Sequence, residues 1–252
     1  MILVGDVGNT STVLGAWING ELKSRFRFRT EPRRMEGEYA LLLKGFLDLE
    51  ELPLPQAALI SSVVPAVDGE LAAALKRLFG LQPLLVQAEH TGLEVLVDHP
   101  AEVGIDRLVN AVGALRRPGV PRYQVIIDFG TATTFDLVEA PSRYLGGAIA
   151  PGPRTAAEAL ARNTAKLPQI DLRPPRQVIG KNTEEALRSG IVLGYASLIE
   201  GMIERFRQAL GPLGVLATGG FASTLAPLCP SLETVDPDLT LKGLYAIWQA
   251  QG

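Results

Sequence analysis

Along the chain, apolar positions switch repeatedly between a period of two and a period of three to four. Leu22, Ser24, Phe26 and Phe28 alternate with Lys23, Arg25, Arg27 and Arg29 between Glu21 and Thr30, the pattern of a half-buried strand whose arginines face out. That face is a solvated one unless phosphates lie beside it. Tyr39, Leu42, Leu43, Phe46 and Leu47 then recur at helical spacing within 36–49, closed by Pro53 and Pro55, and predict a core helix. Residues 57–64 read as a buried strand. Asp68 is expected to cap the helix that runs through Leu71, Leu75 and Leu78 to Gly80, and Pro83 to Val86 forms another short strand. Leu108, Ala111, Val112 and Leu115 mark one face of a further helix, residues 144–152 a strand between glycine-rich bends, and residues 186–210 a long apolar helix capped by Asn182 or Thr183. Val215 to Phe221 reads as strand, glycine turn and helix, a place where a nucleotide's sugar and base can lie against bare backbone. Strands alternating with helices in this way predict an α/β fold with mixed sheets.

Two strand–turn–strand stretches share one order of residues. Val125-Ile126-Ile127-Asp128-Phe129-Gly130-Thr131-Ala132-Thr133-Thr134 runs from an apolar strand through Asp and Gly to hydroxyl residues, and Leu3-Val4-Gly5-Asp6-Val7-Gly8-Asn9-Thr10-Ser11-Thr12 does the same. The offset is 128 − 6 = 122 residues, close to half of the 252-residue chain, so two similar halves are expected, 1–115 and 116–252. Either stretch alone is compatible with an ordinary β-hairpin whose Asp and Gly serve turn chemistry. The pair argues for two phosphate-sized hairpins, each at an acidic strand end.

Composition narrows the partners. With 47 % hydrophobic and 20 % charged residues the chain has material for one large or two fused cores. A net charge of −3 offers no general attraction to nucleic acid or an anionic membrane, so a phosphate ligand must be held by local groups and neither polymer nor membrane is an expected partner. Cys229 is the only cysteine, which excludes an intrachain disulfide and a cysteine-rich zinc site, and a reducing cytoplasm fits. Asp6 interrupts the N-terminal apolar run before a signal sequence is complete, and no apolar run is expected to reach membrane-spanning length. His90 and His99 stand apart and read as surface or turn residues.

The segment Gly104-Ile105-Asp106-Arg107 opens the helix marked by Leu108. A carboxylate beside a guanidinium there can accept a hydroxyl proton while the guanidinium grips an acidic substrate. The same pair can also be a helix-stabilising Asp and a surface Arg. Neither G-x-x-x-x-G-K-[ST] nor G-x-G-x-x-G occurs, so P-loop and dinucleotide-binding readings lack their residues.

Taken in order, Asp6-Val7-Gly8-Asn9-Thr10, Ser61-Ser62-Val63-Val64-Pro65, Gly104-Ile105-Asp106-Arg107, Asp128-Phe129-Gly130-Thr131-Ala132-Thr133-Thr134, Gly180-Lys181-Asn182-Thr183 and Thr218-Gly219-Gly220 resemble type III pantothenate kinases along nearly the whole chain. The resemblance implies a duplicated actin-like (ribonuclease H-like) fold of the acetate and sugar kinase superfamily, a homodimer, and phosphorylation of pantothenate by ATP, the first step towards coenzyme A. It implies that Asp6, Val7, Gly8, Asn9, Thr10, Ser11, Thr12 and Val13 meet the ATP phosphates, with Asp6 near magnesium, and that Thr131 meets them from the second hairpin. Asp128 would hold a monovalent cation, potassium or ammonium. Gly104, Ile105, Asp106, Arg107 and Thr183 would contact pantothenate, with Asp106 the general base. Val97 departs from the family, which usually places Tyr at this point of the substrate wall. The alternatives are another small-molecule kinase, or a non-catalytic pantothenate- or nucleotide-sensing regulator on the same scaffold.

Overall fold

A computed structural model describes residues 1–251 of the chain, which divides into two compact units. The first comprises Met1–Glu94, Asp98–Arg117 and the C-terminal segment from Leu239, and the second Val95–Val97 and Pro118–Asp238.

In the first unit, β1 (Ile2–Val7), β2 (Ser11–Ile18) and β3 (Glu21–Arg29) form an antiparallel meander; α1 (Glu36–Leu49) leads to β4 (Ala57–Ser62), and α2 (Pro65–Phe79) to β5 (Leu84–Leu85). The sheet order is β3-β2-β1-β4-β5, with β4 parallel to β1 and to β5. Its inner strands are apolar on both faces because both are covered. One face packs Leu3, Val7, Leu14 and Phe26 against Tyr39, Leu43 and Phe46 of α1 and Leu71 of α2. The other packs Ile2, Val4 and Trp17 against a helix pair. Before the first of that pair, β6 (Glu94–Val95) joins the second sheet; the pair itself is α3 (Ile105–Leu115) and the C-terminal helix Leu239–Gln251. These two helices approach closely because glycines face the contact: a Cβ on Gly113 would lie 2.6 Å from the Leu239 carbonyl, and one on Gly243 would lie 2.1 Å from that of Val109.

The second unit repeats the plan. β7 (Tyr123–Phe129), β8 (Ala132–Glu139) and β9 (Arg143–Pro151) form the meander, followed by α4 (Pro153–Asn163), α5 (Thr183–Leu210), β10 (Gly214–Gly219), α6 (Ala222–Leu225) and β11 (Thr234–Val235); the C-terminal helix is α7. The order β11-β10-β7-β8-β9-β6 reproduces that of the first sheet read from the other edge, with β6 added.

Three expectations change. The helix after β4 begins at Pro65 with Val64 as its N-cap, because proline lacks the amide a cap would satisfy and already has helical φ; Asp68 sits in its first turn, with Oδ1 buried and unpartnered. The long helix begins at Thr183, where the Asn182 side chain accepts the Glu185 amide at 2.9 Å. At 28 residues and a mean hydropathy of 1.2 over its most apolar window, that helix is long and apolar enough to cross a membrane, contrary to the expected absence of such a run. Its Ile191, Val192, Tyr195, Ile199 and Ile203 are instead spent on the core of the second unit.

Candidate active site

In the first unit, the β1–β4 register brings Ser61 alongside Asp6, and the Ser61 hydroxyl donates to Asp6 Oδ1 at 2.6 Å. Gly5, just before, has no room for a side chain: a Cβ would lie 2.7 Å from Ile60 Cδ1. Burial pushes the Asp6 pKa up to about 6; the Ser61 bond opposes the shift and the Asp106 carboxylate adds to it. Asp106 therefore lies within electrostatic reach of Asp6, on the first turn of α3. Its Oδ1 accepts the Arg107 amide at 2.9 Å and lies 2.6 Å from where a Cβ on Gly104 would stand. The side chain thus stabilises the helix start, as one of the two sequence readings expects, and its carboxylate is held in a fixed place. Ile105, beside it, packs against the cluster between the sheet and α3.

The turn after Asp6 is pinned from behind. Gly8 N donates to Ser11 O, Thr30 N donates to Thr10 O, and Thr30 Oγ1 donates to Gly8 O at 2.7 Å. Thr12 is fully buried, its hydroxyl 2.9 Å from that of Thr30, and Val7 is fully buried in the core. Val13 packs on the opposite face and is half-buried. Of the expected ATP-binding run, Asn9 and Thr10 are exposed and Gly8 and Ser11 partly so, whereas the side chains of Val7 and Thr12 build the turn from inside.

In the second unit, Asp128 stands one residue before the end of β7, beside Thr218 of β10. Its Oδ1 occupies space that a Cβ on Gly219 would fill at 2.4 Å, and Gly219 has φ +87°, so glycine is required there for both reasons. Gly130 N donates to Ala132 O, the Thr131 carbonyl accepts from Gly152 N at 2.9 Å and from Thr155 Oγ1 at 2.6 Å, and the Thr131 side chain is exposed. Val97 belongs to this unit, 3.4 Å from where a Cβ on Gly146 would stand, and Thr183 is the exposed first residue of α5. A cavity of about 140 Å³ opens beside Phe221, lined also by Arg154, Glu158, Ile170 and Asp171.

Sequence reasoning missed several supports. Thr30 and Gly152 hold the two turns, and nothing local marks them. Asp136 is fully buried and accepts from Tyr144 Oη at 2.7 Å and Thr134 Oγ1 at 2.8 Å. Arg188, 1 % exposed, is held by Glu184, Glu185 and the Asp171 carbonyl. Cys229 is buried, with its thiol pushed up to about 11 by desolvation, as a packed small hydrophobe should be.

Among the described residues no three His, Cys, Asp or Glu side chains cluster as a metal cage. Magnesium needs none when substrate phosphates complete its shell, since one or two carboxylates suffice. Asp6 fits that role, being a partly buried carboxylate whose neighbours are a hydroxyl and a second carboxylate rather than a cation.

Two copies of one meander-and-crossover sheet, each with an acidic strand end against a pinned turn, define a duplicated actin-like α/β fold. The ROK hexokinase of Thermus thermophilus shares it (TM-score 0.53, 13 % identical, 100 % of this chain and 99 % of that one), as does a conserved Baf family protein of Campylobacter jejuni (TM-score 0.62, 20 % identical, 99 % and 98 %). Within that class the sequence is more specific. The profile of type III pantothenate kinase matches residues 2–205; a type III pantothenate kinase of Thermus thermophilus is 60 % identical over 252 residues, covering 100 % of both chains, and that of Deinococcus radiodurans is 43 % identical over 253 residues, covering 99 % of this chain and 97 % of that one. The chain belongs to the type III pantothenate kinase family.

Proposed function

We propose that the protein transfers the γ-phosphoryl group of ATP to the primary hydroxyl of pantothenate, giving 4′-phosphopantothenate and ADP, the first step of coenzyme A synthesis. The observation that carries the chemistry is the pairing of two carboxylates in the first unit: Asp6, half-buried near a strand end, and Asp106, oriented by the Arg107 amide at a helix start. Family membership over the whole chain supports the substrate. The hydroxyl oxygen attacks the γ-phosphorus, its proton goes to Asp106, and the bond to the β-phosphate oxygen breaks. Gly104 to Arg107, with Thr183 and Val97, are the proposed pantothenate contacts. Arg107 supplies the cation for its carboxylate.

The amides and hydroxyls of Gly8 to Ser11 are the proposed phosphate contacts of the first turn, and Thr131 that of the second; the cavity beside Phe221 suits the nucleoside. Bound magnesium would neutralise phosphate charge, held by Asp6. Asp128, whose carboxylate lies in a cradle left open by Gly219, is the proposed ligand of potassium or ammonium. We also propose a homodimer through α5. Ile191 and Ile199 face the core, but Leu198 is exposed, Leu187 and Met202 are only partly buried, and Gly190 and Gly194 have open space above them. Sedimentation showing only monomer at assay concentration would refute the dimer.

The test of the reaction is product identification after incubation with ATP, magnesium, potassium and pantothenate, with Asp106→Asn alongside. The parent should make phosphopantothenate and the variant should turn over about 10²–10⁴-fold more slowly with nucleotide binding intact. A parent that binds both substrates and makes no product is the sensing regulator.

A further inference from the structure

The geometry points to Arg27 as a further phosphate-binding side chain of the nucleotide site, reaching it from the third strand of the first sheet. The inference rests on the placement of the nucleotide phosphates at the first turn. Arg25, Arg27 and Arg29 are all exposed, as the alternation of β3 requires, but the strand register decides which face they share. Asp6 pairs with Val13, and Val13 pairs with Arg27. Residues directly opposite in a sheet point to the same side. Asp6, Val13 and Arg27 therefore form one row on one face, with the end strands about 10 Å apart at the usual interstrand spacing. Phe26 and Phe28 go to the other face, against Tyr39 and Phe46, which fixes the assignment.

The arginines on either side of Arg27 are placed differently. Arg25 pairs with Gly15, above which Leu241 of α7 sits 3.0 Å from a would-be Cβ, so that row is covered by a helix. Arg29 pairs with Ser11, in a row that has no β1 member because β1 ends at Val7. Only the row of Arg27 combines a strand-end carboxylate, a short half-buried side chain between, and a cation at the edge. Arg27 makes no ion pair among the described residues, so its charge is not already committed.

The need for such a charge is chemical. Asp6 and Asp106 already repel each other, and a nucleotide brings several more negative charges to the same place. A metal ion held by Asp6 offsets part of this. A guanidinium at the end of the same row offsets more, and donates in the forked geometry that suits phosphate oxygens. A competing explanation is that the cations only discourage edge-to-edge pairing of β3. It predicts that any one of them can be lost without affecting the nucleotide.

The experiment compares Arg27→Gln, Arg27→Lys and Lys23→Gln. The last removes one charge from the same strand about 14 Å further from the turn, at the usual rise per residue. Arg27→Gln should raise the KM for ATP about 10- to 100-fold, the worth of one charge-assisted contact, and leave the KM for pantothenate within twofold. Arg27→Lys should recover part of the loss, and Lys23→Gln should match the parent. Calorimetric titration separates this from a structural role: affinity for ADP should fall with Arg27→Gln while that for adenosine holds, at an unchanged melting temperature. An ATP KM and ADP affinity within twofold of the parent, or an equal loss in Lys23→Gln, overturns the assignment. A parent that yields no phosphopantothenate refutes the reaction instead, and the ADP and adenosine titrations still decide Arg27.

Discussion

Replacing Gly104 by Ala should damage catalysis while sparing the fold. The residue has φ −57° and ψ 134°, so alanine meets no backbone strain. Its new Cβ would lie 2.6 Å from Asp106 Oδ1, with the next neighbours, Asp106 Cγ and Arg107 Cδ, at 3.7 and 3.8 Å in ordinary contact. An ordinary separation begins at 3.4 Å, so the carboxylate oxygen must withdraw by about 0.8 Å. It is the end of a flexible side chain, and it can move only by giving up the 2.9 Å bond from the Arg107 amide that orients it. Losing glycine at the N-cap costs about 1 kcal/mol, and the stiffer unfolded chain returns about 0.4–1 kcal/mol, so stability stays nearly level. A misplacement of this size at a proton acceptor is worth about 10- to 100-fold in rate. The assay is steady-state ADP release at saturating substrates beside a thermal melt. We expect kcat to fall by about that factor with the ATP KM and melting temperature unchanged. In an Asp106→Asn background the same substitution should add little, because the group it displaces is already disabled. A variant with parental kcat would refute the claim that the position of this carboxylate matters.

Three further outcomes follow from the same structure. Asp6 has a folded pKa of about 6 against 3.8 for the free side chain, so the folded state binds more protons between these values and stability falls as pH rises through them; in EDTA, the parent should lose about 2–3 kcal/mol relative to Asp6→Asn between pH 4 and pH 7.5, and a constant difference in denaturant midpoints would contradict it. Asp128→Ala should abolish stimulation by potassium or ammonium along with most activity, and full parental activity in sodium alone would contradict the cation assignment. Arg188→Met deprives the partly buried Glu185 carboxylate and the Asp171 carbonyl of their donor, so it should lower the melting temperature and speed proteolysis of the 164–181 segment; an unchanged digestion pattern would show that Arg188 does not tie that segment down.

Much of this architecture is legible where the physics is local. The alternation of Phe26 and Phe28 with arginines gives β3, and the spacing of Tyr39, Leu43 and Phe46 gives α1 with the observed bounds, because one face of each is buried and the other is wet. Long-range partners are not legible in that way. The α5 stripe shows that the helix has apolar positions to spare but not which of them the sheet takes, so Ile191 and Ile199 went to the core rather than to a partner. Arg188 carries no signal at all, since an arginine three and four residues after two glutamates reads as a solvated helix pair until the segment before α5 folds over it. At the site, Asp6, Asp106 and Asp128 stand out by their places at strand and helix ends, whereas Ser61 and Thr30 act only because the sheet brings them there.

The duplication itself shows how a phosphate-sized turn is held. From Asp6 to Gly8 the halves match at an offset of 122, but Val7 pairs with Thr12 across four turn residues, whereas Phe129 pairs with Thr133 across three. The equivalent of buried Thr12 is therefore buried Thr133, one residue earlier than the repeat suggests. At the end of the third strand the offset returns: Ser11 pairs with Arg29 and Ala132 with Pro151, which makes Gly152 the counterpart of Thr30. Thr30 secures its turn with a hydroxyl shared between Thr12 and the Gly8 carbonyl. Gly152 secures the other with its amide, and must be glycine because a Cβ would stand 2.3 Å from the Gly130 carbonyl. Thr133 thereby loses the partner that Thr12 keeps, and its hydroxyl is buried with none among the described residues. Both solutions occupy turn carbonyls with donors from the end of the third strand, so those oxygens are held against the fold. The two halves thus differ in the residues that hold the turn while sharing the acidic strand end and the glycine on which the proposed phosphate contacts rest.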